Sequence, residues 1–178
     1  MPRLFTALEI PYSVAMPLTF LQTNLLNAQW VEAEDFHITL RFFGDVENHI
    51  ADEIVLMLSS IKSEPFSLHL EGLDIFGSKK PKLLYARVAP CESLNLLQAR
   101  IERVAQRLNL SKDKMRFVPH VTLAHLDKVK IDDLVNYLSL YGGFVSSSFQ
   151  VERFTLMSSK QSVGGGPYII EETWPLIN

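Results

Sequence analysis

Two histidines in this chain sit in the same four-residue wording. His37-Ile38-Thr39-Leu40 recurs as His120-Val121-Thr122-Leu123. The ordinary pKa of histidine, about 6.5, lets it give or take a proton near neutrality. Strand side chains alternate between faces, so His37 and Thr39 share one face while Ile38 and Leu40 share the other. The second copy repeats this division. If both polar faces look into one groove, two imidazoles can act as acid and base on either side of a phosphorus. Two hydroxyls can then donate to its non-bridging oxygens. Such a set can open a phosphate ester without a metal. A catalytic zinc would need a third protein ligand. Neither motif has a histidine four residues on or a carboxylate on its own face, and Asp35 reads as the approach to the first strand. A single histidine on a strand is ordinarily a half-buried structural group, a reading that two matched His–Thr pairs do not fit. His49 and His69 lack this setting and read as surface residues.

The similarity extends outward from the two motifs. Leu4–Pro11 resembles Leu83–Pro90 at an offset of 79, and the histidine motifs are offset by 83, a loop difference of four residues. After each leading strand comes a helical spacing, carried by Leu18, Leu21, Leu25 and Leu26 in the first half. In the second it is carried by Leu94, Leu97, Ile101, Val104 and Leu108. Ile50, Ile54, Leu58 and Ile61 follow the first motif, and Ile131, Leu134, Val135 and Leu138 follow the second. Strand patterns close each half at Phe66–Leu70 and Phe149–Phe154, and a last strand is expected near Tyr168–Glu172. The pattern is strand–helix–strand–helix–strand, twice. Residues 3–76 and 83–157 form two halves of one domain spanning 1–178, each too small to be comfortable alone. Breaks fall at Gly77–Lys82 and at the Gly164-Gly165-Gly166-Pro167 turn.

Composition bounds the rest. The 178 residues are 47% hydrophobic and 21% charged, an ordinary globular balance, and a net charge of −3 gives no global basic field. One cysteine, Cys91, rules out an internal disulfide and fits a reducing compartment. Met1–Ile10 alternates like a strand rather than a signal peptide, and no apolar run is long enough to span a bilayer. The cytoplasm and a monomer are the default expectations. The cations are unevenly placed: Lys79, Lys80 and Lys82 surround Pro81. Arg100, Arg103, Arg107, Lys112, Lys114 and Arg116 follow, against only Glu102 and Asp113. They read either as a solvated helix face with its loop or as a basic wall beside a phosphate site.

The paired motifs resemble those of the 2H phosphoesterase superfamily. The flanks, Trp30, Phe36–Gly44, Phe117–Ala124, Phe154–Ser159 and Gly166-Pro167-Tyr168, resemble the RNA 2′,3′-cyclic phosphodiesterases historically called 2′-5′ RNA ligases. The resemblance runs from Arg3 to about Pro175. It implies a bilobal α+β fold, two antiparallel sheets lining a central groove with helices outside. It also implies hydrolysis of an RNA-terminal 2′,3′-cyclic phosphate to a 2′-phosphate, with no metal or cofactor. Its partners would be RNA 3′ ends or small 2′,3′-cyclic nucleotides. By motif position, His37 would protonate the leaving 3′ oxygen, His120 would activate water, and Thr39 and Thr122 would hold the phosphate oxygens. Phe42 would stack on the terminal base or else serve the core. Many relatives carry an arginine three residues after the second threonine, where this chain has His125. The phosphate grip would then rest on His125 itself or pass to Arg41, Arg116 or Lys128. Competing readings are 2′-5′ ligation by the same groups in reverse, cleavage of another small cyclic nucleotide, and a non-catalytic RNA-end-binding module.

Overall fold

A computed structural model describes residues 1–112, 116–159 and 165–177. Asp113, Lys114 and Gly164, named above, lie outside the described residues. The first half of the chain runs β1 (Arg3–Glu9), α1 (Tyr12–Phe20), β2 (Gln29–Trp30), β3 (His37–Asp45), α2 (Asn48–Leu58), β4 (Phe66–Leu68) and β5 (Leu70–Phe76). The second runs β6 (Leu83–Val88), α3 (Glu92–Arg107), β7 (His120–His125), α4 (Ile131–Tyr141), β8 (Phe149–Val151) and β9 (Arg153–Ser159), followed by β10 (Ile169–Pro175). Apart from the short β2, the two halves carry the same elements in the same order. The first helix ends earlier than its leucine spacing suggests. Asn24 and Asn27 take left-handed backbone conformations that turn the chain away, so Leu21 and Leu25 are buried from a loop.

Pairing of the strands is antiparallel throughout. The order β10-β9-β1-β3 makes one lobe and β7-β6-β5, with β2 flanking β7, makes the other. A separate two-stranded sheet, β4-β8, bridges the halves of the chain. The sequence halves are therefore not the lobes. β5, which closes the first half, pairs with β6 of the second, and β9 pairs back onto β1. The strand register also shifts the internal match by one residue. Phe5 stands opposite Phe42 as Leu83 stands opposite His125, so the leading strands are equivalent at an offset of 78, not 79.

The lobes meet at one backbone pair, Ile38 with Val121. Both side chains are wholly buried in the main core, where burial of each is worth about 1.5–3 kcal/mol. Beyond this pair β3 and β7 diverge in opposite directions, and a groove opens on the face carrying the histidines. The helices cover the other face: α3 packs on β3 and α4 on β5. Among the described residues no helix is long and apolar enough to cross a membrane.

Candidate active site

β3 and β7 each break their alternation just after the motif threonine, at equivalent places, and β3 breaks it a second time at Phe43. In β3 the pairing with β1 runs Thr6–Arg41 and then Ala7–Thr39, leaving Leu40 as an extra residue. In β7 the pairing with β6 runs Leu84–Ala124 and then Tyr85–Thr122, leaving Leu123 extra. A bulge adds one residue to a strand and reverses the faces of everything after it. Each extra residue's carbonyl accepts a glutamine amide, Leu40 from Gln98 Nε2 at 3.3 Å and Leu123 from Gln22 Nε2 at 3.4 Å.

The reversal decides the neighbours of the motif. Unbroken alternation would place Arg41 in the groove with His37 and Thr39. Arg41 instead turns inward and is only 5% exposed. Its Nε donates to Glu102 Oε2 at 2.6 Å, and its two terminal nitrogens donate to the carbonyls of Phe42 and Ser111. Three of its five N–H donors are engaged in this way, and Arg41 borders the groove cavity from its buried side. Phe42 takes the groove face in its place, 38% exposed and stacked at 6.2 Å from Phe5. His125 is the counterpart of Phe42 after the second bulge, and it is exposed on the groove wall. Arg116 also lines the groove, whereas Lys128 is exposed and stands outside the lining.

The two histidines are held alike. His37 Nδ1 lies 2.7 Å from the carbonyl oxygen of Asp35, and His120 Nδ1 lies 2.6 Å from that of Val118. A carbonyl only accepts, so each Nδ1 carries the hydrogen and each Nε2 is left to give or take a proton. His37 Nε2 meets Thr39 Oγ1 at 3.0 Å. One step out from the Ile38–Val121 pair, the antiparallel register sets His37 across from Thr122 and Thr39 across from His120. The four polar side chains thus surround one crossing point. Asp35 contributes through its backbone, a role that its side-chain type could not announce.

Aromatic walls support both rings, and sequence spacing does not reveal them. His37 packs against Phe5 at 5.2 Å and edge-on against Tyr168 at 4.9 Å. His120 packs against Tyr85 at 5.2 Å and edge-on against Phe76 at 4.9 Å. Tyr168 comes from the segment before β10 and is tied down by its backbone N–H, 3.4 Å from Asp35 Oδ1. Gly166 permits that approach, since a Cβ there would lie 2.1 Å from Asp35 Oδ2. Of the other histidines, His49 is exposed and His69 half-buried, and neither lines the groove.

A family model described as the 2′-5′ RNA ligase superfamily matches residues 11–162. The chain belongs to that superfamily. The RNA 2′,3′-cyclic phosphodiesterase of Aeropyrum pernix is 35% identical over 132 residues, covering 72% of this chain and 75% of the relative. The Aquifex aeolicus protein of the same name is 31% identical over 156 residues, covering 83% and 81%. The crystal structure of Escherichia coli LigT complexed with 3′-AMP superposes with a TM-score of 0.80 at 23% identity, over 99% of each chain. The bilobal α+β architecture expected from the motifs is therefore the fold of this superfamily member.

Electrostatics of the site follow from burial. It lowers the pKa of both imidazoles below 6.5, because a charged ring loses hydration. For His37 the hydrogen bond to the Asp35 carbonyl offsets part of that lowering, and the positive charge that His120 can carry adds a smaller downward push. The groove holds a cavity of about 1140 Å³ lined by Thr39, His120 and five cations, Lys79, Lys80, Lys82, Lys112 and Arg116, with His37 and Thr122 outside its lining. Both readings of the basic run hold in part: these five form a wall, while Arg100, Arg103 and Arg107 stand on the solvated side of α3. Among the described residues, no group of three His, Cys, Asp or Glu side chains converges to hold a metal.

Proposed function

We propose that this protein hydrolyses the 2′,3′-cyclic phosphate at an RNA 3′ end to a 2′-phosphate by metal-free acid–base catalysis. The observation that carries the reading is the matched pair of imidazoles. Each is fixed through Nδ1 on its own strand, and each working Nε2 stands beside the single crossing of β3 and β7. His120 Nε2 takes a proton from water as the water oxygen bonds to phosphorus. The bond from phosphorus to the 3′ oxygen breaks, and His37 Nε2–H protonates that oxygen. Thr39 and Thr122 donate to the non-bridging oxygens as charge builds there. Phe42 stacks on the terminal base, and His125 and Arg116 take up the role of the missing arginine. Relatives named RNA 2′,3′-cyclic phosphodiesterase support the substrate class. The single free cysteine suits a cytoplasmic setting.

The test is turnover of an oligoribonucleotide ending in a 2′,3′-cyclic phosphate, in excess EDTA, with the product isomer identified. The expected product is a 2′-phosphate, and His37→Ala and His120→Ala each abolish most of it while the fold survives. Near-wild-type turnover by either variant, or loss of activity on chelation, would overturn the mechanism. A joined 2′-5′ linkage as the main product would favour ligation, and binding without turnover would favour an RNA-end-binding module.

A further inference from the structure

The groove is less symmetric than the motifs beneath it. Its cations fall into two groups. Lys112 and Arg116 come from the segment between α3 and β7, where the Ser111 carbonyl accepts from Arg41 beside Phe42, while Lys79, Lys80 and Lys82 adjoin Leu83, which pairs with His125. The three lysines belong to the β5–β6 turn, which is tightly built. Gly77 has a φ of +116°, and a Cβ there would lie 2.2 Å from the Lys80 carbonyl oxygen. The Lys82 N–H donates to Phe76 O at 2.8 Å and closes the turn. Phe76, the ring that packs edge-on against His120, is the residue just before Gly77. A short rigid turn therefore presents three exposed ammonium groups beside the reacting centre. Among the described residues, no carboxylate pairs with any of them.

We propose that the β5–β6 turn is a binding site for the phosphodiester backbone upstream of the RNA terminus, so that an oligonucleotide end is preferred over a cyclic mononucleotide. The inference rests on the proposed function. An RNA 3′ end has further phosphates on one side only. With the terminal base stacked on Phe42, the turn is the cationic end left for the chain leading up to it. Flexible ammonium groups suit backbone phosphates, which need charge more than fixed geometry. An acidic peptide would find the same charge, but it would not use the aromatic faces of Phe42, Phe76 and Phe117 along the groove.

Binding of a fluorescein-labelled tetraribonucleotide bearing a 3′-phosphate, followed by anisotropy across a salt series, tests this independently of turnover. The triple variant K79A/K80A/K82A is expected to weaken binding about tenfold or more. It should also lower the slope of log affinity against log salt by about 2, from roughly 0.7 per phosphate contact on a single strand. R100A/R103A/R107A on α3 serves as the control and should leave both unchanged. In turnover, the lysine variant should lose kcat/KM on the cyclic-phosphate tetranucleotide but stay within twofold on the cyclic mononucleotide. An equal loss on both substrates would assign the lysines to the scissile phosphate and overturn the proposal. So would an unchanged salt slope, a loss found instead in K112A/R116A, or equally tight binding of a poly-glutamate peptide. Lysine-dependent binding with no turnover of either substrate would uphold the site and overturn the proposed function.

Discussion

In β3 the bulge at Leu40 is followed by Arg41 turned inward and Phe42 turned to the groove; in β7 the bulge at Leu123 is followed by Ala124 and His125. Up to the bulges the strands match in histidine, threonine, anchoring carbonyl and the glutamine amide on the bulge carbonyl. After them the residue types differ at every equivalent position. The matched part is what the chemistry requires, since attack and departure at phosphorus are mirror-related and need one proton-handling group on each side. The unmatched part would face the proposed substrate, which is not symmetric, with a base and ribose on one side and water on the other. The largest test of this division acts on the matched part. His37→Ala and His120→Ala should each lower kcat by about 10²- to 10⁴-fold. The double variant should be little worse than the poorer single, because the groups act as a unit. A single variant that retained most activity would break the equivalence of the strands.

The next test separates the inward residues. Arg41→Ala should destabilise the fold by about 3 kcal/mol in urea unfolding, because it leaves Glu102, 16% exposed, without its partner. Ala124, its counterpart, has no such bond to lose. A raised KM with unchanged stability would instead return Arg41 to the phosphate. The outward residues should differ more mildly. Phe42→Ala should raise KM for an oligonucleotide by about 1–3 kcal/mol, roughly fivefold to a hundredfold or more, through lost base stacking. His125→Arg places a fixed charge on the opposite wall and should lower KM a few-fold with little change in kcat. An equal effect of Phe42→Ala and His125→Ala would mean that the two ends of the groove do not differ in what they hold.

The repeated motif makes the order of elements and the faces of the four polar side chains legible in the sequence, because a period of two and a repeat are both written in residue type. Four features are not written that way. Bulges at Leu40 and Leu123 depend on pairing with β1 and β6, and strict alternation places Arg41 on the wrong face. The exchange of β5 and β9 between lobes is a matter of topology, and a strand's sequence does not name its neighbour. Tyr168 reaches His37 only because β10 folds back beside β9, and the orienting groups of both imidazoles are backbone carbonyls, which every residue possesses.

The smallest effect, and the most diagnostic of the coupling between strands, lies in the pH dependence. The proposed mechanism requires one proton on the pair, with His37 charged and His120 neutral, and two charged rings repel. Burial holds both pKa values below 6.5, so the bell-shaped profile of kcat/KM should peak on the acid side of pH 6.5. The same shift sets the sign for stability. Below pH 6.5 the unfolded chain binds protons at both histidines before the folded protein does, so stability should decline as pH falls from 6.5 toward the folded-state values. Tyr168→Ala opens one wall of His37 to water and should move the kcat/KM maximum upward. His120→Ala removes the repelling charge, so the His37 ring should titrate at higher pH than in the wild type when its imidazole protons are followed by NMR. A His37 titration unchanged in that variant would mean that the two rings do not sense each other across the Ile38–Val121 crossing, and a shared phosphate between them would lose its electrostatic support.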